Sequence, residues 1–591
     1  MKSIKKGFSL VELLVALGVF TIVISSGAGF LTTSYKLTTM SEQNTKARQL
    51  VNEGLEVTEY LKRKSWESLI NGQWGVNYNN QTQDWEFIAN SDITDSKYTR
   101  VITISDVYRE EDGTIVTNSP TSALDLFSKN VSVTVNWDNA NNSVRNITQS
   151  SLITNWEREV PGGGSGMLVY ADYSGSDDII RYRFLYEDGT WSPQFTIPDA
   201  GVPANRDTRR IELYASDTRD EYVLMSKHTE DGQFIYAHVW NGTRWISPIQ
   251  LAGYGDNTNP NTRNFSGTYL QDGRFIAVYD DFTYSPKYRI WNGTSWSSQG
   301  SVGNLGFLGY PVWMEIEARP DSNRAIFVVR DWLQKTTTYV WNGSSWGSGV
   351  THGSSSSGSS IENISLQWNR FSDSRLALMF NEANDNNPNI KIWNDSTNSW
   401  SSNIENVALP GRARIFEVSD NPQRDQFLGC AKDSIRGINC MATTYTPLWT
   451  NTTQIATRTH GNDERSFSVG YENSGDDAIV VYSNGPTDAD LREPKYRVFN
   501  ASSLSWSGEQ KIDELGPTSS QSLTTTRVLP SHNSNDIMVV MGDQSKRVHT
   551  IVWDGDNNQF YDSVGLQLTK QADFGSYNED FWYAFSWRKY E

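Results

Sequence analysis

The sequence predicts a multidomain chain in which a long N-terminal helix lies on a small antiparallel sheet and an all-β ring of about eight four-stranded sheets follows. Three observations predict this. A nearly uncharged run from Phe8 to Leu31 passes into an amphipathic pattern, residues 70–160 alternate with period two, and an aromatic-turn-aromatic unit recurs about every fifty residues from residue 166 to 591. Composition agrees. The 591 residues include 12 % aromatics, 22 Trp and 44 Gly, which suits many short strands and tight turns. With 37 % hydrophobic and 20 % charged residues the chain is neither a multi-spanning membrane protein nor disordered. A formal net charge of −18 repels phosphate backbones and argues against nucleic acid as a main partner. Two cysteines make no disulfide scaffold, and no Cys/His spacing suits structural zinc.

The N-terminal element is the most specific part. Lys2, Lys5 and Lys6 precede Gly7, and Glu12 is the one charge between Phe8 and Leu31. That run makes about 36 Å of helix against about 30 Å of bilayer hydrocarbon. The lysines keep the start cytoplasmic and send the rest outward. The run is too long for an ordinary secretory signal and no small-x-small cleavage site follows it. A carboxylate inside such a segment is costly and therefore marks function. Beyond it, Ser25-Ser26-Gly27-Ala28-Gly29 is a weak stretch expected to kink or melt. Ala47, Leu50, Val51, Leu55 and Leu61 then recur at three- and four-residue steps, and Asn71-Gly72 marks the expected stop.

Residues Lys5-Lys6-Gly7-Phe8-Ser9-Leu10-Val11-Glu12-Leu13-Leu14-Val15-Ala16 resemble the class III signal of the type IV pilin and pseudopilin family. The resemblance implies a leader over 1–7, cleavage after Gly7 by a prepilin peptidase, and methylation of Phe8. It implies that Glu12 pairs with the terminal amine of a neighbouring pilin subunit, an arrangement in which an opposite charge makes a buried acid tolerable. It also implies a transmembrane and assembly helix over 8–31 and a pilin-like α+β domain over 32–160. In that domain the strand patterns Tyr98–Ser105, Val131–Trp137 and Asn146–Trp156, with a turn at Asp112-Gly113, supply the sheet. Pro161-Gly162-Gly163-Gly164-Ser165-Gly166 reads as a linker over 161–166.

From 167 to 591 the repeat dominates. Trp240-Asn-Gly-Thr-Arg-Trp245, Trp291-Asn-Gly-Thr-Ser-Trp296 and Trp341-Asn-Gly-Ser-Ser-Trp346 are its clearest copies, and degenerate copies end at Trp191, Trp400, Trp449, Trp506 and Phe560. Each copy holds four strand-like pieces, the arithmetic of a β-propeller blade. Eight blades are expected, with seven as the alternative because the copy at Trp449 is irregular. The Asn-Gly dipeptides are read as two-residue hairpins with positive φ at both positions. The first copy starts at Met167 without its first strand. Asp580–Trp587 reads as a strand without a blade, suited to closing the ring. The tryptophans are read as packing between blades rather than as sugar platforms.

Cys430 and Cys440 stand at equal offsets about residue 435, on neighbouring strands of the sixth copy. Outside the cell a disulfide is expected there, the alternative being two buried thiols. No cofactor is expected. Asp554, Asp556, Asn558 and Asp562 have the odd-position spacing of a calcium loop, but the turn glycine and the twelfth-position Glu are missing and plain hairpin chemistry is the preferred reading. The six histidines are scattered, and neither a nucleophile elbow nor a phosphate loop stands in a strand-to-helix context. The chain is therefore expected not to be an enzyme.

The functional expectation is a minor type IV pilin, single-pass in the cytoplasmic membrane and then at the cell surface in a pilus. Its propeller, with a radius of gyration of about 22 Å, is bulky beside packed helices and fits a filament tip. Its repeat motif resembles bacterial propeller lectins, which implies recognition of a glycan or a host or abiotic surface. The alternatives are a pseudopilin of a type II secretion or DNA-uptake system, and a glycan-active propeller enzyme tethered by a pilin stem.

Overall fold

In the computed structural model the chain divides into two compact units, Met1–Arg158 and Glu159–Glu591. The structure describes residues 9–64, 66–81, 83–109, 115–116, 123–138, 143–154, 165–174, 177–187, 189–198, 207–229, 233–254, 262–306, 309–354, 362–371, 375–381, 386–402, 408–443, 449–461, 464–512, 522–561, 566–569 and 581–590.

In the first unit, helix α1 runs unbroken from Leu10 to Lys64. The weak Ser25–Gly29 stretch stays helical. Just after it, the Thr32 and Thr33 hydroxyls donate to the carbonyls of Ala28 and Gly29 at 2.8 and 2.9 Å, so these polar side chains need no partner beyond their own helix. The helix stops at Lys64, earlier than Asn71-Gly72. Lys62, Arg63 and Lys64 complement the negative end of the helix dipole, and a 3₁₀ turn, Trp66–Ser68, follows. Gly72, at φ 146°, instead opens the first strand.

That strand, Gly72–Asn79, belongs to an antiparallel sheet ordered Asp84–Ala89, Gly72–Asn79, Tyr98–Arg109, Ala123–Asp138, Val144–Thr154, with Asp92–Thr94 and Ile115–Val116 paired onto Tyr98–Arg109. Helix residues Ala47, Leu50, Val51, Val57 and Leu61 share one apolar core with Ile102, Ile104, Val131, Val133 and Val135 of the sheet. Gly54 permits the close approach: a Cβ there would lie 2.9 Å from Val133 Cγ1. Arg100, 2 % exposed, joins helix to sheet by donating twice to Asp92 at 3.0 Å and once to the Leu50 carbonyl at 3.1 Å. A buried guanidinium is tolerable when it is paired and hydrogen-bonded in this way.

The second unit is a propeller of eight blades, each with four strands along its main path. Blade 2 shows the pattern, with Asp207–Ala215 innermost, then Tyr222–Thr229, Gln233–Trp240 and Trp245–Tyr254 outermost. The inner strands of blades 3 to 8 are Phe265–Tyr269, Pro311–Ala318, Ile364–Trp368, Ala413–Asp420, Phe467–Tyr471 and Leu523–Pro530. Blade 1 is built from both ends of the unit. Tyr583–Trp587 is its inner strand, paired antiparallel with Gly166–Ser174, and Asp177–Leu185 and Phe195–Thr196 lie outside. Each inner strand lies beside that of the next blade, and Leu523–Pro530 lies beside Tyr583–Trp587, so the ring closes. The strand that receives the closing segment begins at Gly166, inside the stretch read as linker. A Cβ at Gly166 would meet Phe585 Cζ at 2.3 Å. Residues 161–164 lie outside the described residues.

The apolar cores lie between blades. Met225 and Val239 of blade 2 pack with Phe265 and Phe275 of blade 3, and this arrangement recurs around the ring. The repeat tryptophans belong to these layers. Trp240, Trp341 and Trp553 meet Tyr182, Tyr288 and Tyr496 of the preceding blade at centroid distances of 6.0, 5.8 and 5.5 Å. The Trp-Asn-Gly units close four-residue loops rather than two-residue hairpins: Trp240 pairs with Trp245, and only the glycines, at φ 91°, 95° and 102°, are left-handed. The asparagine acts through its side chain. Asn241 Oδ1 accepts from the backbone of Thr243 and Arg244, and Asn292 and Asn342 repeat this. In blade 6, Cys430 and Cys440 are register partners joined by a disulfide of 2.03 Å.

Closure by the last strand has a measurable consequence. Removing residues 581–591 from the full chain strips blade 1 of its inner strand and should lower the melting temperature of the propeller by about 10 °C or more, read by calorimetry in detergent. A truncated chain that melts with the intact one would show that the ring does not depend on this strand.

Candidate functional site

Two regions carry functional side chains. At the N-terminus, Gly7 and Phe8 lie outside the described residues, and Glu12 stands in the first turn of α1. Its carboxylate accepts from Ser9 N–H at 3.0 Å while Ser9 Oγ accepts from Val11 N–H at 3.3 Å. Ser9 thus caps the helix through N2, and Glu12 returns the bond as in a capping box, a pattern legible in Ser9-Leu10-Val11-Glu12 but missed by a reading that looked for partners outside the chain. The helix is long and apolar enough to cross a membrane. Its most apolar eighteen-residue window has mean hydropathy 2.2 and is nowhere buried within the chain.

In the propeller, Asp554 and Asp556 stand in the outer hairpin loop of blade 8. Asp554 Oδ1 accepts from the N–H groups of Asp556 and Asn557, the same duty as Asn241 in blade 2, and its other oxygen accepts from Asn557 Nδ2. Asp556 accepts from Asn535 Nδ2, and Asn558 turns the chain at φ 55°. Asp562 lies outside the described residues, and among the described residues no three His, Cys, Asp or Glu side chains are grouped to hold a metal ion.

The sequence reading missed the centre of the ring. Side chains from all eight blades line a cavity of about 180 Å³ there. Equivalent positions of successive inner strands hold Glu212, Ser266, Glu315, Ser365, Glu417, Ser468 and Arg527; Arg210 stands two residues earlier in its strand, and Arg263, Glu362 and Arg465 stand three residues earlier, just before theirs begin. The recurrence was available as charged or hydroxyl residues at the blade period, but the tryptophans overshadowed it.

These side chains do two things. First, they satisfy the free edges of neighbouring inner strands. Ser266, Ser365 and Ser468 Oγ accept from the N–H groups of Ile316, Val418 and Val528 in the next blade at 3.2, 3.1 and 2.8 Å. Glu315 and Glu417 accept from the backbone of Leu366 and Val469. Second, they form an ion-pair chain. Arg263 reaches Glu315 at 3.4 Å and Glu362 at 2.9 Å, and Arg465 reaches Glu362 at 3.2 Å and Glu417 at 3.0 Å. Arg527 grips Glu212 with two bonds of 2.8 Å.

Arg210 is different. It is 3 % exposed and has no carboxylate in ion-pair range among the described residues; its guanidinium lies over the rings of Phe581 and Trp313 at 5.0 and 5.2 Å. Burial draws the Arg210 value down to about 10, against the more distant pull of Glu362 and Glu212. Burial also pushes Glu315 up to about 7 despite Arg263, and pushes Glu417 up despite Arg465. At Glu362 burial is outweighed by Arg465, Arg263 and Arg210, which hold its carboxyl at about 2.

Among families, residues 2–28 match the prokaryotic N-terminal methylation motif. No curated protein matches the chain in sequence. Among solved structures, the BP39L lectin from Burkholderia pseudomallei is similar at 8 % identity and a TM-score of 0.44, over 61 % of this chain and 100 % of that one. AofleA from Arthrobotrys oligospora is similar at 10 % identity and a TM-score of 0.33, over 52 % and 87 %. The periplasmic gluconolactonase PpgL from Pseudomonas aeruginosa is similar at 10 % identity and a TM-score of 0.36, over 58 % and 95 %. Resemblance at this level carries nothing about ligand or chemistry.

The raised Glu315 value sets a pH dependence. A carboxyl that holds its proton more tightly folded than unfolded stabilises fully below its ordinary value of 4.5, and that contribution is lost as pH rises through about 7. Asp280 and Glu472, also pushed up to about 7 by burial, act in the same sense. The intact protein should therefore lose stability from pH 5 to 8. Glu315→Gln should remove on the order of 2 kcal/mol of that loss. Equal declines in both proteins, followed by thermal melting, would refute the assignment to Glu315.

Proposed function

We propose that this protein is a minor subunit of a type IV pilus, placed at the filament tip, whose propeller is displayed outside the cell for adhesion or ligand recognition. One observation carries the reading: the methylation motif at residues 2–28 extends into a helix, from Leu10 onward, whose apolar window is left uncovered by the described residues of its own chain. Such a surface is stable in lipid or against other apolar helices. In this reading the cytoplasmic membrane holds the chain first. A prepilin peptidase cuts after Gly7, Phe8 is methylated, and Glu12 exchanges its exposed contact with Ser9 for the amine of a neighbouring pilin subunit. The helix-and-sheet unit is then the pilin-like part, and the eight-bladed ring the recognising part. Binding rather than turnover is the role we assign to the ring, because its central acids and bases are largely tied to one another in a fixed chain. A pseudopilin of a secretion or DNA-uptake system would share the same stem, and the position of the subunit separates the two.

Glu12→Ala should leave membrane insertion and cleavage intact while cutting incorporation into sheared filaments by roughly 10-fold or more, since one partner of a desolvated pair is lost. Immunogold labelling of wild-type filaments should mark tips. Undiminished incorporation of the variant would remove the pairing role of Glu12, and label along the whole shaft would remove the tip assignment.

A further inference from the structure

Among the described residues, the central cavity holds one cation that no carboxylate pairs. Arg263, Arg465 and Arg527 are each bound by carboxylates at 3.4 Å or less, whereas Arg210 has none in range among the described residues. Its position is built rather than incidental. Phe581 and Trp313 supply ring faces to the guanidinium, and Phe581 also carries Arg527 at 4.4 Å. A guanidinium held over ring faces keeps its N–H edge available, and that edge fits a carboxylate with two parallel bonds. Burying a cation with no carboxylate in contact is costly, and an anion from outside the chain would lower that cost.

The rest of the lining narrows the chemistry. Thr526 Oγ1 is buried and has no hydrogen-bond partner, and it lines the same cavity. Gln367 also lines it, and its amide nitrogen is spent on Glu317 at 2.8 Å, which leaves its carbonyl oxygen as an acceptor. These groups suit hydroxyls. A cavity of about 180 Å³ has room for a ligand of single sugar-ring size.

We propose that the centre of the propeller is a binding site for a small hydroxylated carboxylate, a sugar acid, with Arg210 taking the carboxylate and Thr526 and Gln367 taking hydroxyls. Burial pushes Glu315 up to about 7 and raises Glu417 as well, which weakens the negative charge set against the guanidiniums of the cavity. The sugar acid is either free in solution or the terminal residue of an acidic glycan. This deepens the recognition role proposed above and rests on it for where the ligand is met. Binding is read on solubilised protein, so it fails or stands independently of filament incorporation.

The test is calorimetric titration of the full-length protein in detergent with glucuronate, galacturonate, glucose and acetate. At least one uronate should bind, glucose and acetate should bind at least 10-fold more weakly, and Arg210→Gln should lose at least 10-fold in affinity for the uronate. Thr526→Val, which keeps the side-chain shape, should weaken the uronate and leave acetate unchanged. Should Arg210→Gln misfold by circular dichroism, Thr526→Val alone decides. An oligogalacturonide that binds as tightly as the monomer assigns the site to a glycan terminus, and monomer-only binding assigns it to the free acid; both support the site. No uronate binding by the wild type, equal binding of glucose, or unchanged uronate affinity in a folded Arg210→Gln protein overturns it.

Discussion

The propeller depends on satisfying the free edge of each inner strand. Within a blade that strand bonds to its outer neighbour, and its other edge faces the centre of a closed ring, where an unpaired N–H costs as much as a lost hydrogen bond. The chain answers by reaching across from the preceding blade. Sometimes backbone does this, as where Met314 N–H meets the Arg263 carbonyl at 2.9 Å, Thr526 N–H the Arg465 carbonyl at 2.9 Å, and Ile211 N–H the Phe581 carbonyl at 2.8 Å. Elsewhere side chains do it, through Tyr214 to Gly267 and through the serines at 266, 365 and 468. Blade-to-blade contact is therefore polar at the centre and apolar further out, where Trp–Tyr pairs and aliphatic layers carry the packing.

This division explains what the sequence made legible. The outer hairpins announce themselves because their chemistry is local: an aromatic, an Asx side chain, a left-handed residue and a second aromatic within a few positions. Seven such units, with Trp449 in the remaining slot at the same spacing, led to the blade number. The detail of the turn was misjudged because Asn-Gly was taken as a pair of left-handed residues, whereas Asn241 works by accepting backbone N–H groups and only Gly242 is left-handed. The channel is the opposite case. Glu362 and Arg465 are 103 positions apart in the chain and meet only because a ring brings the fifth and seventh blades together at its centre. No local pattern encodes that contact. The long helix was legible through its hydropathy, yet its end was placed too late, because a basic last turn at Lys62–Lys64 is a weaker mark than Asn71-Gly72.

The two units answer to different solvents. The helix-and-sheet unit buries the second half of α1 under a Val/Ile face and leaves the first half, from Leu10 onward, bare. Nothing in water compensates that surface, so the first half needs lipid or other helices. The propeller buries its apolar layers within itself. The single acid of the bare half, Glu12, shows the same logic at one residue: alone it caps its own helix, and that cap leaves its carboxylate exposed to any stronger donor that arrives.

The equivalent inner-strand positions also show that the charges at the centre exceed what the fold requires. Ser266, Ser365 and Ser468 perform the cross-blade duty with a neutral hydroxyl. Glu315 and Glu417 perform the same duty, but burial raises both carboxyls, a sign that they are held there at a cost in desolvation. A serine in their place would bridge the blades without that cost. Replacing a buried ionic network by neutral groups is commonly neutral or stabilising. Stability alone thus accounts for the serines and not for the arginines and glutamates alternating with them. The carboxylates fix Arg263 and Arg465 in place, and that fixed chain walls in Arg210, which rests on aromatic faces and has no carboxylate in ion-pair range among the described residues. An arrangement that carries this much buried charge beyond its structural need is organised around the charge that completes it.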